Sequence, residues 1–253
     1  MPMDGITMEV CCYNLESAIY AEAAGADRIE LCANRHQGGT TPSYGMLEVV
    51  RKIVEIPIFS MIRPRGGDFL YSKEELEVML HDIQMAKELG MEGVVIGVLR
   101  KDGQVDIEVM SRLIEVVRPM EVTFHRAFDL TPDPIKSLED IISLGVDRVL
   151  TSGQRSSAYH GMAIIKSILE SCKGAIIVMP GAGINEENVL QILEQTGARE
   201  FHVSASGTRP SKMKFHKNQV QMGSDEGEYT VDITDENRIR KFREIVNQLK
   251  ITN

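Results

Sequence analysis

Glu9, Glu30, Arg63, His125 and His202, with the thiols of Cys11 and Cys32, are the residues of this chain whose types suit them to joint chemistry. A histidine titrates near neutrality, which fits His125 and His202 for general acid–base work. Glu30 becomes a base for the same pH range if burial raises its pKa. Arg63 or Arg126 can clamp a carboxylate or phosphate, and Asp129 and Asp68 can orient either partner. These residues are scattered over the sequence, so a fold must gather them.

Alternation along short apolar segments says how. Side chains on a strand point to opposite faces in turn. With Val10, Ile29, Leu31, Val122, Phe124, Phe201 and Val203 facing a covering layer of helices, the other parity holds Glu9, Cys11, Glu30, Cys32, Met61, Arg63, Thr123, His125, His202 and Ser204. Several buried charges are costly unless paired, so a neutralised Glu/Arg/His network filling the interior is the competing structural reading.

The elements behind this pattern are repeated. Gly25-Ala-Asp-Arg-Ile, Gly90-Met-Glu-Gly-Val, Gly145-Val-Asp-Arg-Val and Gly197-Ala-Arg-Glu-Phe each place a glycine after a helical stretch and before a short apolar strand. A left-handed glycine closes a helix without a Cβ clash. The repeats mark every second βα unit, and the chain of 253 residues matches the ~250 of one (β/α)₈ TIM barrel. The predicted strands run Met8 to Cys12, Arg28 to Cys32, Ile58 to Ile62, Val94 to Gly97, Val122 to Arg126, Arg148 to Thr151, Ala175 to Met179 and Glu200 to Ser204. Ser72 with Glu75 forms a capping box, and Asp106, Asn185 and Asp235 are expected helix caps. Residues 1–253 read as a single domain with a long polar loop, 207–229, after strand 8.

In such a barrel, active sites form at the C-terminal ends of the strands, and the loops after strands 7 and 8 recurrently hold phosphate. Gly181 and Gly183 follow strand 7, and Ser204 and Ser206 follow strand 8, so these four are the candidate anion-binding residues. A small anionic metabolite is the expected partner, and isomerase, lyase and hydrolase chemistry all stay open. The 207–229 loop supports a further reading as the contact surface of an oligomeric scaffold.

Composition narrows the classes. Thirty-seven acidic against 28 basic side chains leave a net charge of −9, which disfavours nucleic acid and anionic membrane surfaces. The first residues lack the basic and apolar regions of a secretory signal, and no apolar run is long enough for a membrane span. Four cysteines without a CxxC pair fit reduced thiols and a cytoplasmic location. His81, His160 and His216 stand alone and read as surface residues.

Met8-Glu-Val-Cys, Gly25-Ala-Asp-Arg-Ile-Glu-Leu-Cys, Gly38-Gly-Thr-Thr-Pro-Ser, Met61-Ile-Arg-Pro-Arg-Gly-Gly-Asp, Val122-Thr-Phe-His-Arg-Ala-Phe-Asp, Val149-Leu-Thr-Ser-Gly, Val178-Met-Pro-Gly-Ala-Gly-Ile and Glu200-Phe-His-Val-Ser-Ala are collinear motifs that resemble the CutC copper-homeostasis family. The resemblance implies a (β/α)₈ barrel, a cytoplasmic protein, a homo-oligomer (dimer or tetramer) and a link to copper tolerance. It also implies Cu(I) at Cys11 and Cys32, which match the cysteines proposed to hold the ion. Soft thiolate and thioether ligands suit Cu(I), giving a near-linear pair with Met61 as a third soft atom. Cys12 departs from the family pattern and lies on the opposite parity from Cys11.

Overall fold

The structure, a computed structural model, describes residues 5–217, 219–220 and 228–249. Eight strands alternate with helices in the order β1 (Thr7–Cys12), α1 (Leu15–Ala23), β2 (Arg28–Leu31), α2 (Tyr44–Ile53), β3 (Ile58–Met61), α3 (Lys73–Glu88), β4 (Gly93–Ile96), α4 (Ile107–Val117), β5 (Glu121–Phe124), α5 (Pro134–Ser143), β6 (Arg148–Thr151), α6 (Met162–Cys172), β7 (Ile177–Pro180), α7 (Val189–Thr196) and β8 (Glu200–Val203). The antiparallel hairpin β9 (Ser206–Pro210) and β10 (Thr230–Thr234) precedes α8 (Glu236–Val246). The eight barrel strands are parallel in the order β7-β6-β5-β4-β3-β2-β1-β8, and β7 and β8 lie side by side at the seam. This is the expected (β/α)₈ TIM barrel.

Outward residues such as Val10, Ile29, Leu31, Val122, Phe124 and Phe201 are buried in one continuous core beneath the helices. The inward parity builds a separate small cluster of Cys11, Cys32, Phe59, Met61 and Val95. Cys12 sits in the outer core, away from Cys11, as its parity requires.

The repeated motif has a further function in the fold. In three of the four units its acidic residue accepts an amide at the start of the neighbouring odd strand: Asp27 from Met8 N (2.7 Å), Glu92 from Ile58 N (2.8 Å) and Asp147 from Val122 N (2.8 Å). Each is also paired with an arginine, Arg243, Arg51 and Arg118 respectively. Strand bottoms are thereby pinned, which leaves the opposite ends to the loops.

Three expectations need correction. The seventh strand starts at Ile177, because Ala175 N donates to Cys172 O in a turn that closes α6. Asn185 does not cap α7. Its Oδ1 accepts from Glu187 N and Asn188 N in a turn one step earlier, and Asn188 occupies the cap position. The loop expected over 207–229 is rooted in the β9–β10 hairpin, which binds α1 through Asn14 Nδ2 to Asp232 O (2.7 Å) and Thr234 N to Ser17 Oγ (2.9 Å). Of that stretch, 218 and 221–227 lie outside the described residues, as does the segment 1–4.

Candidate functional site

The strand ends enclose a cavity of about 440 Å³ whose lining includes Cys11, Glu30, Arg63, His125, Asp129 and His202. Gly183 and Ser204 reach it as well. Cys32 lies just beneath Gly39, where a Cβ would come within 3.1 Å of its sulfur, so only a glycine lets the loop after β2 close over the thiol. The loop is held down by Arg63 Nη1, which donates to Gln37 O and Gly39 O.

The β1, β2 and β8 side of the mouth is one coupled network. Cys11 Sγ and Cys32 Sγ are 3.8 Å apart, and Cys32 Sγ is 3.3 Å from Glu30 Oε2. His202 Nδ1 lies 2.8 Å from Glu9 Oε1, and its Nε2 lies 3.8 Å from Glu30 Oε2. The hydrogen bond from Cys32 holds the Cys11 thiol well below the usual range, and it outweighs burial with help from His202 and Tyr13. Burial and then the Cys11 charge push Glu30 well up, and burial also raises Cys32. For His202, burial favours the neutral ring, but Glu30, Cys11 and Glu9 outweigh it and keep the imidazolium. Cys11 and His202 are thus biased toward their charged forms, and Cys32 and Glu30 toward their neutral ones.

The β3 and β5 side differs. His125 Nδ1 accepts the Ala127 amide at 3.2 Å, and its ring packs 4.8 Å from Phe69 and against Gly97. Burial and then the Arg63 charge lower it to about 3, so the ring is neutral with its proton on Nε2. That corrects the expectation of acid–base work near neutral pH for this histidine. Arg63 stacks over Phe69 at 4.9 Å, beside the Tyr71 hydroxyl, which burial pushes up to about 12.

Asp129 is engaged throughout: Oδ1 accepts from Thr151 Oγ1 (2.5 Å), Ser152 N and Gln154 N, and Oδ2 accepts from Arg126 Nε (2.8 Å) and Ser152 Oγ. It ties the loops after β5 and β6 together and has no free lone pair to serve as a base. Asp68 is exposed and paired with Arg65. At the seam, Gly181 donates its amide to Thr151 O (2.9 Å) and packs against Leu150 and His202, which leaves no room for a Cβ. Ser206 belongs to β9 and donates to Ser204 Oγ at 2.9 Å.

The family model of the CutC family matches residues 6–207. The chain belongs to the CutC family. It is 50% identical over 250 residues to the human copper homeostasis protein cutC homolog, covering 98% of this chain and 92% of that protein. A CutC family protein of Parabacteroides distasonis is 46% identical over 238 residues, 93% of this chain and 98% of the relative. The solved structure of CutC from Streptococcus agalactiae superimposes with a TM-score of 0.76 at 34% identity, over 79% of this chain and 98% of that one.

Two donor sets converge in this CutC-family chain among the described residues: Cys11, Glu30 and Cys32, and Glu9, Glu30 and His202. The second is already committed, since Glu9 is bound to Arg28 at 2.5 Å as well as to His202. Arg28 pulls the Glu9 carboxyl well below the usual range against the opposing effect of burial. The two sulfurs of the first set suit a soft ion.

Arg28 and Arg148 form the barrel floor, and sequence reasoning passed over both. Arg28 binds Glu9 and Glu200 (2.7 Å), Arg148 binds Glu200 (2.6 Å) and Glu121 (3.2 Å), and both guanidiniums stack on Phe59. The signal was available: Arg28 shares the inward parity of Glu30, and the same Asp-Arg pair recurs at Asp147-Arg148.

Proposed function

We propose that this CutC-family chain binds Cu(I) at the barrel mouth through Cys11 and Cys32, as cargo of copper homeostasis. The observation that carries this reading is the pair of buried sulfurs 3.8 Å apart on adjacent strands. With metal–sulfur bonds of roughly 2.3 Å, that separation corresponds to a bent S–metal–S angle of about 110°. A bent pair favours a third donor over the near-linear arrangement expected from sequence. Glu30, 3.3 Å from Cys32 Sγ, stands closest to that role. The ionised Cys11 offers the first thiolate, and an arriving cation displaces the proton of Cys32.

The test is an anaerobic Cu(I) titration against a strong competing chelator. Wild type should withdraw copper stoichiometrically, and Cys11→Ser/Cys32→Ser should withdraw none. Equal withdrawal by both proteins, or none by either, would reduce the two thiols to core packing.

A further inference from the structure

Arg28, Arg63 and Arg148 are the arginines buried among the described residues. Carboxylates neutralise Arg28 and Arg148. Arg63 has no carboxylate partner among the described residues. It donates from Nη1 to Gln37 O (2.6 Å) and Gly39 O (2.8 Å) and from Nη2 to Gly67 O (2.8 Å), all neutral carbonyls. Its Nε has no hydrogen-bond partner among the described residues, although the residue is only 5% exposed. The hydrogen bonds of this guanidinium go to carbonyls, with the Tyr71 hydroxyl beside it, and a buried charge without a counter-ion is costly.

The second observation is independent. His125 is 3% exposed, its Nδ1 is occupied by the Ala127 amide, and its Nε2 has no partner among the described residues. Nδ1 as acceptor fixes the proton on Nε2, so a directed N–H donor is buried in the wall of the cavity. β3 and β5, which carry these two residues just past their ends, flank β4, and Gly97 is the residue just past the end of β4. No side chain from β4 therefore stands between them, and a Cβ at Gly97 would come within 2.5 Å of His125 Cε1. The same cavity is lined by Ala182, Gly183 and Ile184, whose backbone amides have no acceptor among the described residues. The nearby carboxylate of Asp129 does not compete for these donors, being saturated by Arg126, Thr151 and Ser152.

We propose that this wall binds the carboxylate or phosphate group of a small metabolite, with Arg63 supplying the counter-charge and His125 Nε2–H the directed hydrogen bond. The site occupies the β3 and β5 side of the same cavity that Cys11 lines, and the proposal does not rest on Cu(I) binding. Arginine and a neutral imidazole together match an oxyanion: the first by charge, the second by a donor that costs no deprotonation.

The test is calorimetric titration of copper-free wild type with inorganic phosphate and, separately, with malonate. Saturable binding of either probe is expected, and the better probe tells phosphate from carboxylate recognition. His125→Asn keeps an oxygen for the Ala127 amide but loses the reach of Nε2. It should weaken that binding about tenfold to a hundredfold, as for one hydrogen bond to a charged partner. Because a variant can fold poorly, nitrogen NMR of wild type supplies a second reading: the His125 Nε2 resonance should move on saturation. Failure of both probes to saturate, or saturation with the Nε2 resonance unmoved, would overturn the proposal and leave the two donors to water.

Discussion

His125 and His202 share one cavity, yet their surroundings drive them to opposite protonation states. His202 touches Glu9 and sits near Glu30 and Cys11, which outweigh burial, whereas His125 faces Arg63 and the Phe69 ring. The consequences for stability have opposite signs. For His202, raised in the fold, the stabilisation is complete below about pH 6.5 and is lost as pH rises through its folded value. For His125, lowered to about 3, the unfolded chain takes up a proton below about pH 6.5 that the folded chain refuses, so stability falls as pH drops from there toward 3. Urea denaturation at pH 6.5 and pH 5 should therefore show wild type losing about 2 kcal/mol more than His125→Asn, His202 being common to both proteins. Equal losses would mean that the buried ring protonates freely. At this scale the sequence was partly legible. Strand parity placed Cys11, Glu30, Arg63 and His202 on the inside, because the outward positions are apolar without exception in β1, β2 and β8. It could not distinguish the two histidines, since what decides them, burial and the Arg63 charge for one and Glu30, Cys11 and Glu9 for the other, is brought together by the fold.

Three of the four helix–glycine–strand units carry a fastening of their own, the fourth having Arg199 where the acid stands. The acid two residues after the glycine satisfies an amide at the start of an adjacent strand and an arginine from a neighbouring helix or its end, as Asp27 does with Met8 N and Arg243. An amide left without that acceptor costs about 1–3 kcal/mol. Asp27→Ala should lower unfolding stability by that amount while leaving copper retention at the mouth intact, because Asp27 lies at the opposite end of β1 and β2 from the thiols. Chemical denaturation beside the chelator competition checks both halves, and loss of retention in a folded variant would contradict the separation of floor from mouth. The repeat was legible because its glycine and apolar strand recur in order. The β9–β10 hairpin was not, since its strands are separated by the 19 residues 211–229, and contacts distant in sequence, such as Asp232 and Thr234 with α1 and its cap and Arg209 with Glu16, fix them. Asn185 was misplaced for a related reason: an asparagine suits a turn as well as a cap.

The barrel as a whole stacks two kinds of interior. Its floor is an ion-pair chain from Glu9 through Arg28 and Glu200 to Arg148, in which each buried charge meets its opposite. Its mouth is incompletely balanced, with a thiol pair on the β1, β2 and β8 side and, on the β3 and β5 side, a guanidinium with no carboxylate partner among the described residues. Polar interiors of this kind are tolerated because the outer core beneath the helices is continuous and apolar. No helix among the described residues is long and apolar enough to cross a membrane. Copper held between the two inward thiols would be seen by X-ray absorption at the copper edge of the anaerobically loaded protein. Two sulfur scatterers per copper with one lighter donor, lost in Cys11→Ser/Cys32→Ser, is the predicted result. A shell of nitrogen and oxygen alone, or a spectrum the double substitution leaves unchanged, would contradict it.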